Sequence, residues 1–162
     1  MFREMRRKKQ EMPFEECVEV LNRGTSGVLA VSGDDGYPYA VPLSYVCCDS
    51  KIYFHCAKSG HKLDGIRRNS KVSFCVTDQD RVVPEEYTSY YRSVIVFGKA
   101  RILEEEKEIR EAIGLLARKY SPEIEEKERQ KEIEKYFSAL CMVELSVEHM
   151  TGKEARELAM KK

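Results

Sequence analysis

Five consecutive residues, Lys58-Ser59-Gly60-His61-Lys62, put a hydroxyl, a glycine and three potential cations directly ahead of a helical run from Leu63 to Arg68. A helix N-terminus carries unpaired N–H groups and a partial positive charge, so it attracts anions. Lysine and histidine side chains beside it add charge, and a phosphate is the anion this set suits. The same five residues also fit an ordinary basic turn after a surface hairpin, because the full Gly-rich phosphate-binding pattern is missing.

His55 is the second chemical candidate, in Ile52-Tyr53-Phe54-His55-Cys56-Ala57. In a strand, neighbouring side chains point to opposite faces. If Phe54 and Cys56 face a core, Tyr53 and His55 face solvent or a ligand. The alternation also argues against zinc: His55 and Cys56 cannot easily share one ion with Cys47 or Cys48, and the spacing matches no zinc pattern. A cysteine nucleophile needs a base and an orienting group, and none is identifiable. Tyr90-Tyr91-Arg92-Ser93 offers an aromatic ring and a guanidinium at a strand start, suited to a flat ring and an anion or, more plainly, to an exposed edge.

Two strands and a turn must carry these residues. Tyr37 to Val46 reads as the first strand, Cys48-Asp49-Ser50 as the turn, and Lys51 to Ala57 as the second strand. Pro38 and Pro42 cannot donate to a ladder, which suits an edge or a ligand-facing stretch. Upstream, Phe14, Cys17, Val18 and Leu21 recur at helical spacing between Pro13 and Gly24. Gly27 to Ser32 is a short apolar strand, closed by the hairpin signal Gly33-Asp34-Asp35-Gly36. Lys71 to Thr77 reads as a strand, Asp78 to Ser89 as a long polar connection, and Tyr90 to Leu103 as a long strand in which Gly98 marks a bulge or a close backbone approach. Glu104 to Tyr120 is an amphipathic helix. Glu123 to Ser138 is a highly charged helix whose few apolar positions predict packing at its C-terminal part. Ala139 to Val147 reads as a last strand, and Thr151-Gly152-Lys153-Glu154 as the lead into a short helix. About six strands at short spacing predict a mainly β fold, an antiparallel barrel with peripheral helices.

The chain has 162 residues, with 28 basic and 28 acidic side chains. This fits a single domain, 1–162, with a helical insertion at about 104–138. A balanced charge gives no global field for nucleic acid. No run is long enough for a transmembrane helix. The basic N-terminus lacks an apolar segment after it, so no secretory signal is expected and the cytoplasm is the expected compartment. Six cysteines without a C-x-x-C pair are then expected to be reduced, buried thiols.

Taken together, Gly36-Tyr37-Pro38-Tyr39-Ala40-Val41-Pro42-Leu43-Ser44-Tyr45, Ile52-Tyr53-Phe54-His55, Ser59-Gly60-His61-Lys62, Tyr91-Arg92-Ser93-Val94-Ile95-Val96-Phe97-Gly98 and Thr151-Gly152-Lys153-Glu154 resemble the 5-nitroimidazole resistance family. That family lies within the pyridoxamine-phosphate-oxidase-like, FMN-binding split-barrel superfamily, and the resemblance runs from about Phe2 to Leu158. It implies a six-stranded antiparallel split barrel and a homodimer with two FMN sites in the interface. Carried over by position, Val41, Pro42, Leu43 and Ser44 pass along the flavin ring, and His55, Cys56 and Ala57 lie beside it. Ser59, His61 and Lys62 hold the phosphate, while Arg92 and Ser93 approach from the partner subunit. His55 is the implied catalytic residue beside a small-molecule substrate, and a reduced nicotinamide is the implied electron donor; no metal is implied. The Arg-rich C-terminal substrate signature of pyridoxamine-phosphate oxidase proper is missing from this sequence. A flavin- or haem-binding protein without nitroimidazole turnover, or a related oxidase, stands as the alternative.

Overall fold

The computed structural model describes residues 1–161, which form one curled antiparallel sheet with helices around it. The strands are β1 (Glu11–Met12), β2 (Ser26–Ser32), β3 (Pro38–Ser44), β4 (Val46–Cys48), β5 (Lys51–Ala57), β6 (Lys71–Val83), β7 (Thr88–Ile102) and β8 (Leu140–Glu154). The helices are α1 (Phe14–Arg23), α2 (His61–Arg68), α3 (Glu106–Tyr120), α4 (Glu126–Tyr136) and α5 (Arg156–Ala159). The sheet order is β3-β2-β6-β7-β8-β5-β4, with β1 added against β8. β1 and β4 are only two and three residues long, so the six long strands are those expected of a split barrel. The sheet stays open, with β3 and β4 as its ends.

Turn chemistry sets the hairpins. Asp49 and Ser50 both take positive φ, 49° and 59°, which is the two-residue turn whose twist matches paired strands. Pro38 and Pro42 sit on the edge strand β3, paired with β2 only. At Tyr45 the chain leaves β3 for β4. The buried Tyr45 donates its hydroxyl to the Leu21 carbonyl at 2.8 Å and packs edge-on against Phe74 at 5.0 Å.

The inner face of the sheet closes over one core. Leu29, Val31, Ile52, Phe54, Phe74, Val94, Val96, Val143 and Leu145 meet Val20 and Leu21 of α1 and Leu63 and Ile66 of α2 there. A second, smaller core lies on the outer face. Ala112 and Leu116 of α3 cover Val46, Leu103 and Met142. Arg101 and Lys51 pin this corner by reaching the buried Glu144 at 2.9 and 3.0 Å, and Arg101 also holds Glu108 of α3 at 2.6 Å.

The long connection expected over Asp78 to Ser89 is instead the tip of the β6–β7 hairpin, paired as far as Val83 with Thr88. Asp80, Arg81 and Val82 are exposed in succession, so backbone pairing holds this arm and no apolar alternation announces it. β8 likewise runs on through Thr151-Gly152-Lys153-Glu154, where β1 and β7 flank it. Gly98 stands at the expected irregularity: the β7–β8 register shifts between Phe97 and Gly98, and an added Cβ would lie 2.1 Å from the Ser146 carbonyl oxygen.

Candidate functional site

The loop before α2 is built around Gly60. Its φ of 139° and ψ of 166° lie in a region that is essentially glycine's alone. Its carbonyl accepts from the amides of Leu63 and Asp64 at 3.0 and 3.1 Å. The amides of His61 and Lys62 open the helix and have no helical acceptor. Ser59 and His61 are exposed and Lys62 is half-buried, so a hydroxyl and an ammonium stand accessible in the residues that flank the helix N-terminus. This donor set fits a phosphate group.

His61 is tied back to the barrel. Its ring stacks on Tyr39 of β3 with centroids 4.1 Å apart, and its Nε2 lies 3.5 Å from Asp34. Arg68, from the last turn of α2, also reaches Asp34 at 2.8 Å and holds its carboxyl below the usual carboxylate range, with His61 adding to the effect. Tyr39 and Asp34 thereby join the loop to the β2–β3 hairpin. Neither carries a sequence signal for this, since the stack forms only when β3 and α2 fold side by side.

On β3 itself, Val41 and Leu43 turn inward against the core while Pro42 and Ser44 stand exposed. Pro42 ends a row of directly opposed residues that crosses the outer face of the sheet: Pro42, Val28, Cys75, Ile95 and Thr151. Val28, Ile95 and the nearby Phe97 are 39%, 42% and 37% exposed. No helix among the described residues covers this part of the sheet, where Phe2 packs on Phe97 with ring centroids 5.5 Å apart, whereas α3 covers the β5–β8 end.

His55 stands apart from that row. It projects from the outer face of β5, opposite Met142, into an open cavity of about 620 Å³ between the sheet and helices α3 and α4. Ile113 and Ala117 of α3, Ile133 and Tyr136 of α4, and Leu140 form most of its apolar wall. The apolar face of α3 and the sparse apolar residues of α4 are the sequence features that build this wall. Cys56 and Ala57 continue β5 toward the loop, with Cys56 turned inward among half-buried core residues and Ala57 exposed.

Arg92 and Ser93 lie elsewhere on the sheet, on β7. Arg92 reaches Asp78 at 3.4 Å and the buried Glu154 at 3.2 Å. Arg23 grips the same Asp78 through two bonds of 2.7 and 2.8 Å. Hydrogen bonding from Arg23 first, and then from Arg92, holds the Asp78 carboxyl below its usual range. Ser93 is half-buried between Thr77 and Lys153. Within one chain, then, the structure joins β3 to the phosphate-suited loop, places His55 at a separate cavity, and commits Arg92 to carboxylates. His149 stacks on Phe2 with centroids 4.6 Å apart, a packing role.

The sequence profile of the family described as pyridoxamine 5'-phosphate oxidase matches residues 13–154. Among solved structures, a candidate 5-nitroimidazole antibiotic resistance protein from Bacteroides thetaiotaomicron is 19% identical with a TM-score of 0.76, over 89% of this chain and 86% of that one. A conserved hypothetical protein from Mycobacterium tuberculosis is 22% identical with a TM-score of 0.81, over 96% and 92%. A protein from Mycobacterium smegmatis that binds FAD and haem is 18% identical with a TM-score of 0.72, over 91% and 73%. No curated protein matches the chain significantly. No helix among the described residues is long and apolar enough to cross a membrane. Since the profile spans both cores, the Ser59–Lys62 loop and all six long strands, the chain belongs to the pyridoxamine 5'-phosphate oxidase family.

Proposed function

We propose that this protein is an FMN-dependent oxidoreductase of the nitroreductase type, reducing a 5-nitroimidazole or a related small molecule with electrons from a reduced nicotinamide. The observation that carries the reading is the joining of the Ser59–Lys62 loop to edge strand β3 through the stack of His61 on Tyr39. It sets a phosphate-suited helix terminus next to a strand whose Pro42 and Ser44 are free to line a flat ring. Bound FMN supplies the hydride chemistry. The chain's own residues bind and orient. Ser59, the amides of His61 and Lys62, and the Lys62 ammonium would hold the phosphate, while the exposed Pro42, Ser44 and Ala57 would border the ring. His55 delivers a proton to the substrate from the wall of its cavity.

The working unit in this reading is a homodimer in the cytoplasm. The exposed apolar row from Thr151 to Pro42 supports it, because a second copy seated on that face would bury Val28 and Ile95 and arrive at Pro42. Arg92 and Ser93 would reach the flavin from that copy, and for Arg92 this requires exchanging part of its grip on Asp78 or Glu154.

A second reading is haem binding with His55 as axial ligand. It is favoured by the apolar cavity that His55 faces and by the FAD- and haem-binding protein among the structural neighbours. The visible absorption spectrum of the purified protein, repeated after heat release of any chromophore, tests both readings. A flavin spectrum, with released material that behaves as FMN on chromatography, supports the first. Released FAD keeps the oxidoreductase reading and corrects the cofactor. A Soret band supports the second. A colourless protein that fails to take up added FMN overturns the first.

A further inference from the structure

Cys56 and Cys141 face each other across the β5–β8 ladder. Val147 N–H donates to the Ser50 carbonyl at 3.0 Å, and counting along the unbroken register from there makes Cys56–Cys141 a hydrogen-bonded pair. Such pairs hold their Cα atoms about 5.5 Å apart, within the span a disulfide bridges. Both side chains turn to the inner face, where they pack against the same core. The other four cysteines have no such opposite number. Cys47 and Cys48 are adjacent in a strand and point to opposite faces, opposing Ile52 and Lys51; Cys75 opposes Val28 and Ile95; Cys17 is buried in α1.

The pair is also reachable. Cys141 lines an open pocket of about 360 Å³ together with Lys58, Arg67 and Phe137, and both cysteines are half-buried rather than sealed. Cations stand close by: Lys62 and Arg67 of α2 both act on Cys56.

We propose that Cys56 and Cys141 are a redox site that closes to a cross-strand disulfide under peroxide and reopens under thiol reductants. The step balances with hydrogen peroxide as oxidant. One thiol sulfur takes an oxygen from the peroxide and becomes a sulfenic acid, releasing water. The second thiol attacks that sulfur, the S–O bond breaks, and a second water leaves. Two thiols are oxidised and one peroxide is reduced. Burial, with Cys141 adding to it, pushes the Cys56 thiol up to about 11 against the opposing pull of Lys62 and Arg67, so the bond forms under sustained oxidant rather than in a fast burst. Directly opposed Cβ atoms at a hydrogen-bonded pair sit wider than a relaxed disulfide wants, so the bond is strained and readily reduced. Its place is functional: β5 carries His55 on one side of Cys56 and leads into the Ser59–Lys62 loop on the other.

The test uses the full chain with whatever cofactor it carries. The native protein is treated with excess hydrogen peroxide, unfolded, alkylated and mapped by mass spectrometry, with and without dithiothreitol. The expected result is one peptide linking Cys56 to Cys141, a fall from six alkylatable thiols to four, and full recovery with dithiothreitol. Cys141→Ser should leave Cys56 as sulfenic or sulfinic acid with no link. The proposal is overturned if the folded wild type keeps both thiols free, if each is oxidised singly, or if Cys56 links to another cysteine. The mapping reads only sulfur, so it stands or falls apart from the flavin.

Discussion

The ring of His61 lies on the ring of Tyr39 with centroids 4.1 Å apart and planes tilted by 27°. One residue opens α2 and the other belongs to edge strand β3, so this stack is where the two proposed halves of a flavin site are fastened together. Aromatic pairs of this kind contribute about 0.5–1.5 kcal/mol beyond burial. Tyr39→Ala should therefore weaken FMN binding about tenfold, which corresponds to about 1.4 kcal/mol, while Tyr39→Phe should bind normally. Titration by flavin fluorescence quenching measures both, and equal affinity in the alanine variant would show that the stack does not organise the site.

His55 opens on the cavity beneath α3 and α4, which neither the loop nor Tyr39 lines. The expectation for His55→Ala is full flavin content with turnover of a nitroimidazole lowered about 100-fold, the lower end of what a positioned acid or base contributes. Flavin content by absorbance and steady-state rates with a reduced nicotinamide separate the two effects. Normal turnover would take His55 out of the chemistry.

Ile95 lies in the middle of the uncovered row that ends at Pro42. An aspartate there buries a charge in any interface formed on that face, which is costly unless the charge is paired. Ile95→Asp should sediment as a monomer and lose flavin together with dimerisation, because the flavin site is proposed to need both copies. A variant that stays dimeric would move the interface to another surface.

Glu144 is 4% exposed on the outer face, where Arg101, Lys51 and the Tyr53 hydroxyl meet it. Burial by itself raises its pKa, but the hydrogen bonds and charges of Arg101 and Lys51 outweigh this and hold it below the ordinary 4.5. A folded-state value below the unfolded one adds stability above pH 4.5 and loses it as pH falls through the folded value. Denaturant unfolding should therefore show this contribution in full at neutral pH and a decline below about pH 4.5 that Glu144→Gln flattens. At neutral pH, Glu144→Ala should cost about 2 kcal/mol, the scale for hydrogen bonds to a charged group, since Arg101 and Lys51 still reach water. A Glu144→Gln variant as acid-sensitive as the wild type would assign the acid transition to other carboxylates.

The sequence by itself determined β2, β5 and the loop, because their causes are local, whereas the one strand expected over Tyr37 to Val46 divides at Tyr45 into β3 and β4, at opposite ends of the sheet. Lys51 to Ala57 folds as read, since alternation and a two-residue turn at Asp49-Ser50 leave one register. Gly60 and the cations around it announce a helix terminus from composition alone, and Gly98 announces a close approach that the Ser146 carbonyl makes real. The tertiary structure alone decided what these pieces face. His61 meets Tyr39 across 22 positions of sequence, and Cys56 meets Cys141 across 85, because strand order rather than sequence order sets neighbours. It also turned the polar tip from Asp78 to Ser89 into paired strands, since cross-strand backbone bonds need no side-chain pattern. And it separated the two sides of the sheet. Covering the β5–β8 end with α3 and α4 gave His55 a cavity, while leaving Val28 and Ile95 exposed gave the other end a surface that burial against a second copy would satisfy.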